Sequence, residues 1–372
     1  MVQSFSLTLY FHLIKAMMLN KIMFGCLLVV TGCKTNDPTP DKDFVLKFIK
    51  ENPGRSSIKL VRNDTVFALH NGDKMMPLAS TAKIILAIEY ARQAAAGEIN
   101  AAEMVPVADL EKFNVSGTDG GAHINWLSAV SAKIINQKIS IREISKGMIQ
   151  FSSNANQEWL IEKLGPEKVE AELKNLGVKN HDKVFFLASS LFVGKEAFPG
   201  LKDNLLVEKL RGMSNSDYLT YINLIHKKLL IDPSYKSDLG DFGTDVQKVW
   251  SDRLTGSTVT EYAGILKKIN DRKFFSIEEQ KYLDEIMEYL LENPANSHVF
   301  EHIGIKGGST LFVLTKAVYA TDKKGNKVEF AYFFNELSNE ENSRLQVGMN
   351  YFDQNILLKP TFVQEVKEQI SN

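Results

Sequence analysis

Two Ser-x-x-Lys tetrapeptides in the chain could supply a hydroxyl nucleophile and an amine base. Ser56 to Lys59 falls in a segment with strand character, where residues three apart point to opposite faces and cannot meet. Ser80 to Lys83 opens a segment whose apolar residues recur at helical intervals, and residues three apart on a helix are neighbours. Ser80 is therefore the candidate nucleophile, and the alternative is that it only caps this helix.

Two further motifs carry hydroxyl, amide and amine groups that acyl transfer can use. The run Ser-Ser-Asn at 152–154 is the only Ser-x-Asn of the chain, and it separates two helical patterns; alone, it indicates a helix cap. The run Lys-Gly-Gly at 306–308 is also unique, and it lies between a short strand-like segment and a strongly apolar one. Two glycines weaken a strand unless something must approach its backbone. A bound acyl group is such an object, and a β-bulge or turn is the alternative.

The order and context of the three motifs resemble those of class A β-lactamases and penicillin-binding proteins. The resemblance covers nearly the whole chain beyond the N-terminal segment. It rests on MMPLASTAKIILAIEYARQ around Ser80, ISIREISKGMIQFSSNANQEWLIEKLG around Ser152 and IGIKGGSTLFVLTKAVYA around Lys306. It implies an α/β sandwich joined to a helical domain, with the site in the cleft between them.

The resemblance also implies a role for each matching residue. Ser80 is the nucleophile and Lys83 its base, which must be neutral, so burial and a nearby cation are expected to lower its pKa. Ser152 relays a proton to the leaving nitrogen, and Lys306 adds positive charge beside it. The backbone N–H groups of Ser80 and Ser309 form the oxyanion hole, in which one donor contributes about 3 kcal/mol in other hydrolases. The substrate-binding residues implied in this way are Asn154, Gly308, Ser309 and Thr310.

Three positions depart from the family pattern. Ser153 stands where aspartate is usual, so a buried charge that braces the loop is lost, and Gly307 stands where threonine or serine is usual. Class A enzymes also carry a Glu-x-x-Leu-Asn segment whose glutamate activates the deacylating water, and an ungapped count places Ala188–Phe192 there. Glu196 lies close by without the pattern, and Glu158 is expected to be a solvated helix residue. No deacylation base is therefore predicted.

The elements that position these residues can be read from the periodicity of the chain. Strand character is found at 58–62, 65–69, 304–306, 311–319 and 327–335, whereas helical patterns dominate 101–293. We predict an α/β (α+β) fold, in which an antiparallel sheet formed by the N- and C-terminal segments is flanked by helices and carries an inserted all-helical domain. Residues 43–79 and 294–372 are assigned to the α/β part, and residues 80–293 to the mainly helical part.

The first 42 residues are predicted to be an export signal and a tether. Lys15 and Lys21 precede an apolar run at 22–30 that is too short to span a bilayer, and Thr-Gly-Cys follows at 31–33. The pattern resembles a bacterial lipoprotein signal over 1–32, with Cys33 lipidated and 33–42 as a polar tether. The protein is then expected to be exported and held on a bacterial membrane by its lipid; a plain signal peptide or a membrane anchor is the alternative.

Composition argues against several other classes. The net charge of −1 and the lack of a basic stretch argue against nucleic acid as a partner. The two cysteines, Cys26 and Cys33, precede the folded part, so neither an internal disulfide nor a thiolate metal site is expected there. The seven histidines lack ligand spacing, so we expect no metal and no other cofactor. His123 follows the glycine-containing run 117–121 and is expected in a turn or at the rim of the cleft.

The predicted function is that of a serine hydrolase that forms an acyl-enzyme on Ser80. Its substrate is a small molecule, either a β-lactam or a D-alanyl peptide of the cell envelope. An esterase or amidase on the same fold is one alternative. A penicillin-binding sensor that traps the acyl state is another, and the missing glutamate motivates it.

Overall fold

The computed structural model describes residues 43–370. The predicted signal at 1–32 and the tether at 33–42, including Cys33, lie outside the described residues. Within 43–370, no helix combines the length and the apolar character needed to cross a bilayer.

Strands from both ends of the chain build one antiparallel sheet. The strands of the described residues are β1 Ser56–Arg62, β2 Thr65–His70, β3 Met76–Pro77, β4 Met104–Pro106, β5 Lys138–Ser140, β6 Gly256–Ser257, β7 Phe300–Ser309, β8 Leu314–Asp322 and β9 Lys327–Phe334. The five-stranded sheet has the order β2-β1-β9-β8-β7, so β7 lies at one edge, while β3–β6 and β4–β5 form two small ladders. The predicted fold class is confirmed.

Helices make up most of the remaining described chain. Their bounds are α1 Phe44–Glu51, α2 Lys83–Ala95, α3 Val107–Glu111, α4 Ala122–Ala129, α5 Ile141–Gln150, α6 Asn154–Leu164, α7 Pro166–Asn175, α8 Leu187–Ser190, α9 Val193–Ala197, α10 Asp203–Gly212, α11 Asn215–Ile231, α12 Thr244–Asp252, α13 Val259–Asp271, α14 Ile277–Met287, α15 Pro294–Ser297, α16 Asn339–Leu358 and α17 Pro360–Ile370. Five 3₁₀ turns are also found in 43–370: Pro53–Arg55, Ala79–Ala82, Ser131–Lys133, Pro233–Ser237 and Tyr289–Glu292.

The two faces of the sheet are buried against different sets of helices, as the alternation of side chains along a strand requires. On β9, Phe330, Tyr332 and Phe334 pack with α1, α16 and α17, whereas Ala331 and Phe333 face the opposite core. Helix α13 lies on that second face, where it contacts β1, β8 and β9. The segment assigned from sequence to the helical part thus includes one helix that covers the sheet.

Helix α2 runs through the middle of the helical part, and its burial fixes the residues at its N-terminal end. Eleven of its thirteen residues are buried, because α5, α6, α7 and α14 pack around it. A helix buried on nearly all sides belongs to the interior of a domain, and each fully buried aliphatic side chain contributes about 1.5–3 kcal/mol. The first turn of α2 is therefore a rigid place for a reactive group.

Candidate active site

Ser80 lies in the 3₁₀ turn Ala79–Ala82, which leads directly into α2. The turn is entered through Ala79, whose φ of 47° is in the left-handed region and costs a non-glycine residue about 1–2 kcal/mol. The backbone hydrogen bond from Leu78 N to Thr255 O, 2.9 Å, holds this entry in place. Ser80 Oγ does not cap the helix, since the N-cap of α2 is Ala82 and makes no side-chain cap bond. The hydroxyl forms a hydrogen bond with Lys83 Nζ instead.

Lys83 is fully buried, and its Nζ atom lies among four oxygens. It is 2.9 Å from Ser80 Oγ, 2.8 Å from Asn154 Oδ1, and 2.6 and 3.3 Å from the carbonyl oxygen and Oγ of Ser152. The carbonyl and the amide oxygen can only accept hydrogen bonds. The two hydrogens of a neutral amine would be donated to them, which leaves the lone pair directed at the Ser80 hydroxyl.

The surroundings of Lys83 favour this neutral form. Burial lowers the pKa of Lys83 well below its ordinary value, the positive charge of Lys306 lowers it further, and Asp119 acts in the opposite direction. An amine with a lowered pKa is free to accept a proton near neutral pH, as a general base requires. The geometry and the electrostatics of the pair therefore suit removal of the Ser80 proton.

Lys306, on edge strand β7, approaches the same centre from the sheet. Its Nζ donates to Ser152 Oγ at 2.9 Å and to Gly307 O at 2.7 Å. Burial lowers the pKa of Lys306 to about 7, with a further contribution from Lys316 on the neighbouring strand. Ser152 Oγ thus lies between two amines, which suits a hydroxyl that passes a proton.

The loop at 152–154 joins α5 to α6 in a sharp turn. Ser152 has a φ of 67°, so the chain reverses there, and Ser153 begins α6 as its N-cap by accepting the N–H of Asn156 at 3.2 Å. This arrangement points the main-chain oxygen of Ser152 and the side chain of Asn154 at Lys83. The structure therefore brings Ser80, Lys83, Ser152, Asn154 and Lys306 together, as the motifs predict.

Gly308 lies where strand β7 contacts the 3₁₀ turn Ala79–Ala82, which carries Ser80 and is called the nucleophile turn below. A Cβ atom at this position would lie 2.4 Å from Leu78 O and 2.7 Å from Ser80 N, which is closer than real Cβ atoms come. From the sequence, the two glycines were interpreted as room for a bound acyl group or as a β-bulge or turn. The structure shows a nearer cause, since the backbone of the turn that carries Ser80 already occupies the space.

Ser309 is the last residue of β7 and Thr310 follows it, and the two have different surroundings. Ser309 is exposed and therefore accessible to a substrate. The Thr310 hydroxyl lies 2.5 Å from Ser251 Oγ and accepts the N–H groups of Phe312 and Val313 at 3.1 Å each. Thr310 thus stabilises the turn between β7 and β8, and its predicted role in substrate binding remains a prediction.

The charge expected to be lost at Ser153 is replaced by two other side chains. Ser153 Oγ lies 2.9 Å from Nδ1 of the buried His123, whose Nε2 lies 3.1 Å from Oε1 of Glu111. Sequence reasoning missed this role of His123, because the three residues belong to three separate segments. In the sequence, the only indication of this role was that one residue is a histidine and another is a glutamate.

Glu158 corrects an expectation. Its side chain is fully buried and not solvated, and its carboxylate accepts the N–H of Ala188 at 2.8 Å and of Ser189 at 3.2 Å, as well as the Ser189 hydroxyl. Nδ1 of His226 lies 3.1 Å from the same carboxylate. Glu158 therefore holds the short helix α8 in place.

Other carboxylates near the expected segment are engaged elsewhere. Glu196 accepts the Tyr235 hydroxyl at 2.6 Å and pairs with Lys228. Within residues 43–370, none of the hydrogen bonds of Ser80 and Lys83 is made to a carboxylate, and no cluster of His, Cys, Asp or Glu suited to a metal is found. The other Ser-x-x-Lys lies in β1, where Ser56 Oγ donates to Asn52 O at 2.9 Å.

The sequence matches the beta-lactamase enzyme family over residues 42–289. The chain belongs to this family. The match includes Ser80, Lys83 and the loop at 152–154, whereas Lys306 on β7 lies beyond its C-terminal limit. No curated protein is found to match this family member significantly. Membership makes it a β-lactamase-like hydrolase.

Solved structures of class A β-lactamases share the fold of this family member. A class A β-lactamase from Bacteroides cellulosilyticus is 17% identical, with a TM-score of 0.51 over 89% of this chain and 99% of that one. The chromosome-encoded β-lactamase of Vibrio parahaemolyticus is 14% identical, with a TM-score of 0.53 over 86% and 99% of the two chains. TLA-1, an extended-spectrum β-lactamase, is 15% identical, with a TM-score of 0.50 over 85% and 98%.

Proposed function

We propose that this protein is a serine acyl-transfer enzyme that is acylated on Ser80 by β-lactams or by D-alanyl peptides of the cell envelope. The observation that carries the proposal is the 2.9 Å contact between Ser80 Oγ and Nζ of the fully buried Lys83, whose pKa is lowered. A hydroxyl beside a neutral amine is the arrangement that activates a serine for attack on a carbonyl carbon.

The acylation step follows from the positions of the amines and hydroxyls. Lys83 Nζ takes the Ser80 proton as Oγ forms a bond to the substrate carbonyl carbon. The proton then passes to Ser152 Oγ, 3.3 Å from Lys83, and on to the leaving nitrogen as the carbon–nitrogen bond breaks. In its protonated form, Lys306 lies 2.9 Å from Ser152 Oγ and favours the release of that proton by its positive charge.

Release of the acyl group is proposed to be slow. Glu158 and Glu196 are the carboxylates that the sequence places near the deacylating segment, and both are consumed by structural contacts. Hydrolysis of an acyl-enzyme needs a base beside the attacking water. These contacts favour a protein that captures β-lactams more readily than it turns them over.

The proposal is tested by labelling the purified protein with a fluorescent penicillin. We expect a covalent adduct with the wild type and none with Ser80→Ala. Ser56→Ala, in the other Ser-x-x-Lys, is the matched control and should be labelled like the wild type. An unlabelled wild type, or labelling that survives in Ser80→Ala, would overturn the proposal.

Turnover is measured separately with a chromogenic cephalosporin. Slow release predicts a burst of one product per enzyme followed by a steady rate far below 1 s⁻¹, against about 10 s⁻¹ for a median enzyme. Steady hydrolysis at the median rate without a burst would contradict slow release while leaving acylation at Ser80 intact.

The proposed location is the outer side of a bacterial membrane, with Cys33 carrying the lipid. The polar tether at 33–42 would separate the anchor from a domain that begins near residue 43. Metabolic labelling with an alkyne-modified fatty acid should mark the wild type and not Cys33→Ala, whereas Cys26→Ala should remain labelled. Labelling of Cys33→Ala would show that the anchor lies elsewhere.

A further inference from the structure

The loop at 152–154 is held from behind by a chain of three side chains, which we call the Glu111 relay: Glu111, His123 and Ser153. Glu111 comes from the end of α3, His123 from the first turn of α4, and Ser153 from the loop itself. The relay runs from a carboxylate side chain that is 38% exposed through a fully buried imidazole to a fully buried hydroxyl. It therefore links the protein surface to the loop that contacts Lys83.

The hydrogen bonds of the relay have a defined direction. An ionised carboxylate only accepts, so Nε2 of His123 donates to Glu111 Oε1; in the tautomer that carries its single ring proton on Nε2, Nδ1 accepts the Ser153 hydroxyl. Ser153 Oγ in turn accepts the N–H of Asn156. The hydrogen bond from His123 lowers the pKa of Glu111, against the effect of its partial burial, which keeps the carboxylate ionised at neutral pH.

Neighbouring groups fix both ends of the relay. Asn114 Nδ2 donates to Glu111 Oε2 at 3.0 Å, and Lys236 donates to the Glu111 carbonyl oxygen. Asp119 accepts the backbone N–H of His123 at 3.0 Å, and the imidazole packs against Trp126 with ring centroids 5.3 Å apart. The imidazole is thus held from several sides, and Ser153 Oγ donates to His123 and accepts from Asn156.

Ser153 is not a second nucleophile, although serine, histidine and glutamate stand in line. Its side chain is fully buried and its Oγ is already the cap of α6. The relay instead fixes the two neighbours of Ser153 in the loop. These neighbours, Ser152 and Asn154, supply three of the four oxygens around Lys83 Nζ. A shift of the loop would therefore displace the acceptors of the base.

We propose that Glu111 and His123 are positioning residues for the acylation of Ser80, acting through Ser153 on the loop at 152–154. The inference rests on the proposed function, because it concerns the rate of that acylation. The geometry that carries it is the unbroken path from Glu111 to Lys83. Removing the ionised carboxylate or the imidazole should slow acylation without removing a group that touches the substrate.

The test is the limiting rate of acylation by a fluorescent penicillin at saturating concentration. We expect about a 5- to 20-fold decrease in Glu111→Gln, which is isosteric and tolerable at a part-exposed site. We expect a larger decrease in His123→Phe, which keeps an aromatic ring but removes the nitrogen that accepts the Ser153 hydroxyl. His123→Asn should retain more rate than His123→Phe, because its amide can still meet the Ser153 hydroxyl. Glu103→Gln is the control, since Glu103 is similarly exposed and only pairs with Lys163 at 3.0 Å.

Melting temperatures separate positioning from folding. If Glu111 had a purely structural role, the acylation rates of its variants would follow their melting temperatures. A Glu111→Gln variant that melts like the wild type would then also be acylated like the wild type, and that result would overturn the inference. Slower acylation in a variant with unchanged melting supports it. Absence of labelling in the wild type would refute the proposed function itself, whereas equal labelling of wild type and Glu111→Gln would refute only the relay.

Discussion

Two segments next to helix α6 are held in the same manner and do different work. The loop at 152–154 is held by His123 and Glu111, and it places its oxygens around Lys83. Helix α8 is held by Glu158, which contacts His226, and these contacts serve only to fix the helix. One side of α6 serves both, since Asn154 and Glu158 are four residues apart and lie on one helical face. The first segment has the groups needed to form an acyl-enzyme, and the carboxylate beside the second is used for structure.

A buried glutamate close to an active-site motif is therefore not by itself a base. Glu158 accepts two backbone N–H groups and a hydroxyl and contacts an imidazole, so both of its oxygens are already used in holding α8. A base must keep an oxygen available to the proton that it removes. Substitutions in the two segments should therefore have different effects.

The largest effect is expected from Lys83→Met, which removes the base. The limiting rate of penicillin acylation should fall about 10²- to 10⁴-fold, the usual contribution of a general base. In the wild type the rate should rise with pH as Lys83 loses its proton, and should level off below pH 10.5 because burial and Lys306 lower the pKa of Lys83. Lys59→Met, in the other Ser-x-x-Lys, should keep the wild-type rate. If the acylation rate fell equally in Lys83→Met and Lys59→Met, Lys83 could not be assigned as the base.

Glu158→Ala should affect stability more than acylation. Loss of the carboxylate leaves the N–H groups of Ala188 and Ser189 without their acceptor, so the free energy of unfolding should decrease by about 2–4 kcal/mol in denaturant titrations. The acylation rate should stay within about threefold. Glu162→Ala, which removes the half-exposed partner of His226, should cost less than about 1 kcal/mol. A stable Glu158→Ala with lost activity would contradict the comparison.

Gly308→Ala should disturb the contact between β7 and the nucleophile turn. Its Cβ would meet Leu78 O and Ser80 N, so we expect a loss of about 1–3 kcal/mol in unfolding free energy and at least tenfold slower acylation. Gly54→Ala, where a Cβ has no neighbour within 4 Å, should change neither. Wild-type acylation in Gly308→Ala would show that the turn can move away at no cost.

Lys306 should also change the pH dependence of stability. Lys306 has a pKa of about 7 in the folded protein and an ordinary value of 10.5, so between these limits the unfolded chain binds a proton that the folded one does not. The free energy of unfolding should therefore rise with pH, and Lys306→Met should reduce the slope between pH 7.5 and 9.5 by up to about 1.4 kcal/mol per pH unit. An unchanged slope would mean that the proton taken up on unfolding does not bind to Lys306.

The sequence predicted those parts of the molecule in which a local pattern determines the outcome. Alternation and helical periodicity located the strands of the main sheet and the helices α2 and α6, and the spacing of Ser80 and Lys83 placed their side chains in contact. The 3₁₀ geometry of Ala79–Ala82 was not predicted, because it depends on the β7 backbone that packs against it.

Burial of polar groups was beyond the reach of periodicity. Glu158 has the sequence context of an exposed helix residue, and only the N–H groups of α8, some thirty positions later, make its burial favourable. His123 likewise acquires its role from Ser153 and Glu111, which meet it through folding. Long-range partners of this kind leave no trace in one sequence apart from residue type.

The hydroxyl of Thr315 on β8 donates to Leu78 O in the turn that carries Ser80, across 237 residues of chain. The contact between sheet and nucleophile therefore joins the first quarter of the polypeptide to the last. Contacts of such sequence separation form late, because the entropy of closing a long loop must be met before they stabilise anything. A ribosome that has released only the helical part has made Ser80 and Lys83 but not yet an active site, so reactivity towards penicillin would report completion of the fold.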